Sequence, residues 1–554
     1  MAKQAGTYII FTAIGLAVLL FCSTYLFFGF YYETNDDQLI TLLLQGITIQ
    51  PPLQNMALYF LGWSQILVWL YSIAPAVPWY GLMLYGLLWG ATVLAFVFLL
   101  RSAVRYNWLE LLGWLLLFFL SSWLEHLLWF NYTRVPLLLT GTSFLWLISK
   151  YRHKNNWLRL VLAGILFLMA LCIRPSAAIL GAALVIPAIF LFSDGKIVLK
   201  DYLKPIFIYL VVGSGFFIYL QATQTPAARQ YQRLDWLKST VLDYQIYQPN
   251  LSTKADALAY RAIQEWLLAD TEVVNEAFYA RAGNSNLSYI SKQVAPVKLA
   301  NLGSVLVRDH FFVLALNAVL LLFIFRYRTY NAYCPRWLIG YQFYFWAIIL
   351  ALGIFLKSPP RVLTPCISLY TLVHLALYFK LKPQITSKRQ LNWFLSISLL
   401  LLAGLQLYKV QHRANWQQQQ QQKNEMFLAE VKNSFKGKLL VAPVLPDYFR
   451  SLSPFCNYNF GNNFVFLLTG WTTLDPAFTT YWQQLTGQPN YAGAVAWLAT
   501  NKEAIWLLNP SFYPFLNQYF KTWHATPLIL KASPHPLTQK YPVQVYYPAT
   551  KVNP

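Results

Sequence analysis

Long uncharged apolar runs recur along this chain, separated by short polar stretches. Tyr8 to Phe30 carries no charge at all, and the acidic stretch Glu33–Thr34–Asn35–Asp36–Asp37 follows at once. A helix needs about 20 apolar residues to cross a bilayer. Runs of that kind fall at roughly 7–30, 79–100, 107–124, 130–149, 157–173, 176–193, 203–220, 309–325, 337–356, 361–380 and 391–409, which predicts eleven transmembrane helices. The run 56–74 is a twelfth candidate. Pro51–Pro52 precedes it and Pro75–Ala76–Val77–Pro78 follows it, which suits a segment that lies at the interface or dips in and returns. The first run is long enough to span and lacks a small-residue cleavage site, so it reads as a retained helix.

Two polar regions interrupt or follow these runs. Residues 221–308 form a large loop with helix-like stretches such as Ala255–Ala269. A linker at 411–424 contains Gln417–Gln422 and reads as an extension of the preceding helix. Residues 425–554 then alternate between two periods. Leu439–Leu440–Val441–Ala442–Pro443 and Ala504–Ile505–Trp506–Leu507–Leu508 read as strands, and Tyr491–Ala499 and Tyr513–Trp523 as helices. The expected fold is an all-α polytopic membrane bundle over 1–410, with a first external loop at 31–78, followed by an extramembrane α/β domain at 425–554.

Composition supports the bilayer as solvent. The chain is 57% hydrophobic and 11% charged, against roughly 25% charged for a soluble chain. Its formal net charge of +22 would suit nucleic acid, but the cations fall in short clusters between apolar runs, so no nucleic-acid partner is expected. With the N-terminus inside, cytoplasmic loops hold Lys3; Arg101 and Arg105; Lys150, Arg152, Lys154 and Arg159; Lys196, Lys200 and Lys204; Arg326, Arg328 and Arg336; and Lys380, Lys382, Lys388 and Arg389. The short external loops hold only Arg134, Arg174, Lys357 and Arg361. This bias predicts a multi-pass plasma (bacterial inner) membrane protein with a cytoplasmic N-terminus and a periplasmic or extracellular C-terminal domain. A twelve-span arrangement would reverse the N-terminus and move the Asp pair to the cytoplasm. The five cysteines are scattered and show neither a disulfide framework nor metal spacing.

Acidic residues number only 20 in 554, so three within five positions is a concentration. On the eleven-span reading Asp36 and Asp37 share the external face with Glu125 and His126, Arg134, Arg174, Lys357 and Arg361. Charges at the hydrocarbon edge are expected to pair with each other or with a ligand. Guanidiniums suit a lipid phosphate and a carboxylate suits proton abstraction from a hydroxyl. Each also has a plainer reading. Asp36 and Asp37 would cap a short helix ending near Gly46; Arg174, Arg361 and Arg134 would be interfacial anchors; Glu125 and His126 would be a local pair.

The order of these features resembles the GT-C class of membrane glycosyltransferases. The shared elements are Asn35–Asp36–Asp37 after the first span, Gln50–Pro51–Pro52–Leu53, Arg174–Pro175, and Arg361–Val362–Leu363–Thr364–Pro365 late in the bundle. Several branches of the class carry a basic residue where this chain has Gln50. The resemblance covers roughly 1–410 and implies transfer of a sugar from a polyprenyl-phosphate donor to a lipid- or glycan-linked acceptor on the non-cytoplasmic face. It implies an Asp of the first external loop, Asp36 or Asp37, as general base, and Arg174 and Arg361 on the donor phosphate. A divalent metal at Asp36 and Asp37 stays open at this point; no other cofactor is implied. An O-antigen polymerase or ligase, and a transporter or flippase of lipid-linked sugar, are the alternatives.

Overall fold

The chain is described here by a computed structural model covering residues 2–103, 106–149, 157–192, 199–327, 334–381 and 389–549. Of the loop cations that set the expected orientation, Arg105, Lys150, Arg152, Lys154, Lys196, Arg328, Lys382 and Lys388 lie outside the described residues, as do the side chains of Lys3, Lys200, Arg326 and Arg389.

Among the described residues eight helices are long and apolar enough to cross a membrane: Thr7–Phe28, Trp79–Ser102, Trp108–Leu128, Pro175–Phe192, Leu203–Thr223, Leu287–Phe325, Arg336–Phe355 and Pro360–Leu381. The predicted count of eleven is therefore not reached by length and composition among the described residues. Arg134–Ile148 and Trp157–Ile173 are apolar but shorter. The run 391–409 is the opening of one continuous helix of 46 residues, Arg389–Ser434, which carries the Gln-rich segment with it. The helical part of 56–74 is Trp63–Ile73, 11 residues; at 1.5 Å per residue it spans about 16 Å, too short for a core of about 30 Å.

The short helix Arg134–Ile148 is shielded by its neighbours. Nearly all of its residues are buried, and it packs against Trp79–Ser102, Trp157–Ile173 and Pro175–Val185. Small residues allow this. A Cβ on Gly181 would collide with the Leu137 carbonyl, and one on Gly141 with the Leu369 side chain, so the helix backbones approach closely. Enclosed by protein, the helix need not present a full bilayer-length surface to lipid.

The tail is a five-stranded mixed sheet. Its strands are β1 (Leu439–Val441), β2 (Phe464–Phe466), β3 (Ala504–Leu508), β4 (Leu530–Ser533) and β5 (Gln544–Pro548). The order is β2-β1-β3-β5-β4. β1 pairs in parallel with both β2 and β3, whereas β5 is antiparallel to β3 and β4. β1 and β3 are buried along their whole length, which explains their unbroken apolar sequences.

The tail, the 221–308 loop and residues 31–78 meet at one end of the bundle. Tyr32 N donates to Leu452 O at 3.0 Å and Ser451 N to Tyr32 O at 3.0 Å. Gly470 N donates to Trp266 O at 2.9 Å, and Gln232 Nε2 to Ala57 O at 2.9 Å. Within the loop, Thr225, Thr253 and Asn275 cap the helices Pro226–Leu242, Lys254–Gln264 and Glu276–Arg281 through their side chains. The second helix stops short of the expected Ala255–Ala269, because the chain turns into the left-handed region at Trp266, φ 60°.

Candidate functional site

A two-residue parallel ladder sets the register of the acidic segment. Tyr31 lies opposite Trp129 and Tyr32 opposite Phe130, and Glu33 N donates to Phe130 O at 2.6 Å. The next residues of both strands then face each other, so that Glu33–Asp37 meets Asn131–Arg134.

The two aspartates receive different surroundings. Asp37 is 0% exposed. Its Oδ1 accepts from Tyr80 OH at 2.9 Å and Tyr132 N at 3.0 Å, and its Oδ2 from Asn131 Nδ2 at 2.9 Å. Burial pushes the Asp37 carboxyl well above the usual carboxylate range, the neighbouring Asp36 adds to this, and the Tyr80 and Tyr132 donors oppose it. Asp36 instead lines a cavity of about 920 Å³. It accepts from Trp471 Nε1 at 3.0 Å and from Thr34 Oγ1 at 3.3 Å. Both open the helix Asp36–Leu44, where the N-cap Asn35 makes no side-chain cap bond. The Asp37 oxygens are taken by three donors. Among the described residues no group of three or more His, Cys, Asp or Glu side chains is placed to hold a metal ion. The donor set does not fit a divalent cation, and no step below uses one.

Arg174 lines the same cavity. It caps the helix Pro175–Val185, whose fixed first Pro sets the turn. Its Nη1 donates to Thr133 Oγ1 at 2.7 Å and Tyr132 OH at 3.1 Å, and its guanidinium lies 4.9 Å from the Tyr59 ring centre and 5.4 Å from that of Tyr132. Among the described residues no carboxylate lies within ion-pair distance of it. Arg361 and Lys357 also line the cavity. Arg361 Nη1 is 3.9 Å from Glu33 Oε1, and Lys357 Nζ is 3.0 Å from Asp243 Oδ1. Burial alone would raise the Asp243 carboxyl, but Lys238 and Lys357 outweigh it and hold it below the usual range.

The remaining predicted residues are turned elsewhere. Arg134 is 0% exposed and binds Glu33 Oε2 through Nη2 at 2.7 Å. Its Nη1 meets His126 Nδ1 at 3.1 Å. A guanidinium only donates, so His126 Nδ1 is the acceptor and Nε2–H donates to Ser368 Oγ at 2.9 Å. Glu125 lies 3.0 Å from Arg413 of the long helix and borders a separate small space with Asp309 and His310. None of Glu125, His126 and Arg134 lines the large cavity. Arg134 and Arg361 are instead joined through Glu33.

The cavity has two kinds of wall. One is apolar, formed by Ile179, Leu180 and Ala183 and by Ile348, Leu352 and Leu356. Below it, Tyr344 OH donates to Ala183 O at 2.9 Å and ties the two helices together. The other wall is polar and aromatic and comes from the 221–308 loop and the tail, including Asp235, Lys238, Trp266 and Trp471. Sequence reading missed all of these, together with Tyr59 and Tyr132. Trp471 lies 435 positions from the carboxylate it touches, and no local pattern marks it. No family model matches the chain, and no curated protein matches it.

Proposed function

We propose that this protein is a GT-C-like membrane glycosyltransferase. It would move a sugar from a polyprenyl-phosphate donor to an acceptor hydroxyl on the non-cytoplasmic face. The observation that carries this reading is the composition of one cavity. A carboxylate, Asp36, and a guanidinium that among the described residues has no carboxylate within ion-pair distance, Arg174, share it with an apolar wall formed by helices of the bundle. A lipid-linked phosphosugar needs these three features together. Its chain would lie against Ile179, Leu180 and Ile348, and its phosphate against Arg174 and Arg361.

In this mechanism the acceptor oxygen attacks the anomeric carbon. The bond from that carbon to the phosphate oxygen breaks, and the phosphate leaves with both electrons. Charge grows on the phosphate in the transition state, where fixed guanidiniums act most strongly. The acceptor's proton passes to the Asp36 carboxylate. Asp37 holds the loop: its three hydrogen bonds tie the Asp36–Leu44 helix to Tyr80, Asn131 and Tyr132, and Tyr132 also contacts Arg174. Glu33 and Arg134 form a buried support beneath Arg361.

Purified protein assayed with a panel of polyprenyl-phosphate sugars and glycan acceptors tests the reading. Transfer that is absent from wild type with every donor, or retained in Asp36→Asn, would refute it.

A further inference from the structure

The tail's share of the cavity has a particular origin. It comes from three segments: 443–450, 469–471 and 509–512. Each follows the carboxyl end of one parallel strand, β1, β2 and β3 respectively. β1 is central to this trio, and the chain passes from it to β2 on one side and then back across to β3 on the other. Open α/β sheets bind their ligands in the crevice at such a switch point, outside the carboxyl ends of the strands. Here that crevice opens into the cavity that holds Asp36.

We infer that this crevice is a carbohydrate subsite for the acceptor glycan. The inference rests on the transferase reading for the acceptor role, though not for binding itself. The side chains fit sugar hydroxyls, which both donate and accept. Asp447 and Arg450 are exposed at the crevice and attract each other electrostatically, and among the described residues neither side chain is held in a hydrogen bond or a close ion pair. Asn509 Oδ1 accepts from Ser511 N at 3.2 Å and Ser511 Oγ at 3.0 Å. This fixes the amide and leaves its Nδ2 hydrogens for a ligand.

Trp266 and Trp471 line the cavity; Lys238 Nζ lies 5.0 Å from the Trp266 ring centre, and the indole surface not covered by it is an apolar plane of the kind on which the C–H face of a sugar ring stacks. Trp266 is held in left-handed backbone, φ 60°, a costly conformation for a bulky residue, and Gly470 N bonds its carbonyl. Trp471 follows directly. The carboxylates of Asp447 and Glu265 share this lining with the cations of Arg450 and Lys238, a mixed charge that favours a neutral polar ligand over an anion, and a lipid chain would leave the polar side chains without partners. A cavity of about 920 Å³ lies near the top of the roughly 300–1,000 Å³ range of small-ligand sites, so a glycan can share it with a lipid phosphate.

Binding of a panel of methyl glycosides (glucoside, galactoside, mannoside and N-acetylglucosaminide) to full-length protein in detergent tests this by saturation-transfer NMR. At least one member should bind saturably. Asn509→Ala and Arg450→Gln should each weaken it at least tenfold at an unchanged unfolding temperature, and Lys531→Gln, exposed on β4 and away from the cavity, should leave it unchanged. Asp447→Asn replaces either variant that fails to fold. No saturable binding by wild type, or equal binding by the tail variants, overturns the subsite. Transfer that survives Asp36→Asn would refute the catalytic reading while leaving the glycoside result intact.

Discussion

Trp471 Nε1 donates to Asp36 Oδ1 at 3.0 Å, so a residue of the C-terminal α/β tail touches the carboxylate that borders the large cavity. The same indole packs edge-on to Tyr59 with ring centres 5.5 Å apart, and Tyr59 lies under Arg174. Replacing it tests whether the tail helps to orient the proposed base. Trp471→Phe keeps the ring and loses the N–H. We expect kcat to fall with donor affinity preserved, and Trp471→Ala to lower both. A Phe variant with wild-type kcat would leave Trp471 as packing alone.

The aspartates should separate by experiment. Asp36→Asn should fold normally, bind donor and lose roughly 10²–10⁴-fold in rate, the usual worth of a positioned base. Asp37→Asn presents an amide to Asn131 Nδ2 or to two other donors, and a mispaired buried group costs about 1–3 kcal/mol. Its main effect should be a lower unfolding temperature, read by scanning fluorimetry alongside the transfer assay.

Arg174 and Arg134 should behave oppositely. Arg174→Ala removes a guanidinium that among the described residues has no carboxylate within ion-pair distance, so the protein should fold. Donor binding should weaken by about 10- to 150-fold, the equivalent of about 1.5–3 kcal/mol for a charge-assisted contact. Arg134→Ala leaves buried Glu33 with the longer Arg361 contact at 3.9 Å and should cost about 3–5 kcal/mol of stability. Titration with a polyprenyl-phosphate sugar and thermal unfolding of each variant distinguish the two.

Tail docking should weaken as pH rises. His524 Nε2 lies 2.6 Å from Asp270 Oδ2, across the junction of tail and loop. That hydrogen bond, opposed by burial, raises the imidazole above its usual 6.5. A raised histidine contributes stability that is fully present below the unfolded value and is lost as pH climbs through the folded one. Unfolding temperature measured from about pH 6 upward should therefore fall in wild type and flatten in His524→Gln.

The sequence made the bilayer legible because long apolar runs have few other physical uses. It also showed Asp36, Arg174, Lys357 and Arg361, which line one cavity. Those residues stand out because charge is scarce in this chain. It misjudged length where a helix hides inside protein, as at Arg134–Ile148, since an enclosed helix is freed from matching the bilayer. It could not separate Asp36 from Asp37, because they differ only in partners brought from Tyr80, Asn131 and Trp471. Nor could it see that Arg134 serves Glu33, because a buried ion pair and a substrate clamp use the same residue types.

The uninterrupted helix Arg389–Ser434 makes the glutamine run a gauge. A helix of 46 residues is about 69 Å long and advances about 100° per residue. Its length therefore fixes both the height of the tail above the bundle and the direction in which its crevice looks. One added residue would swing Trp471 away from Asp36, and seven would restore the heading but lift the tail by about 10 Å. Between Gln418 and Lys423, past the buried Gln417, residue number is therefore more tightly constrained than residue type.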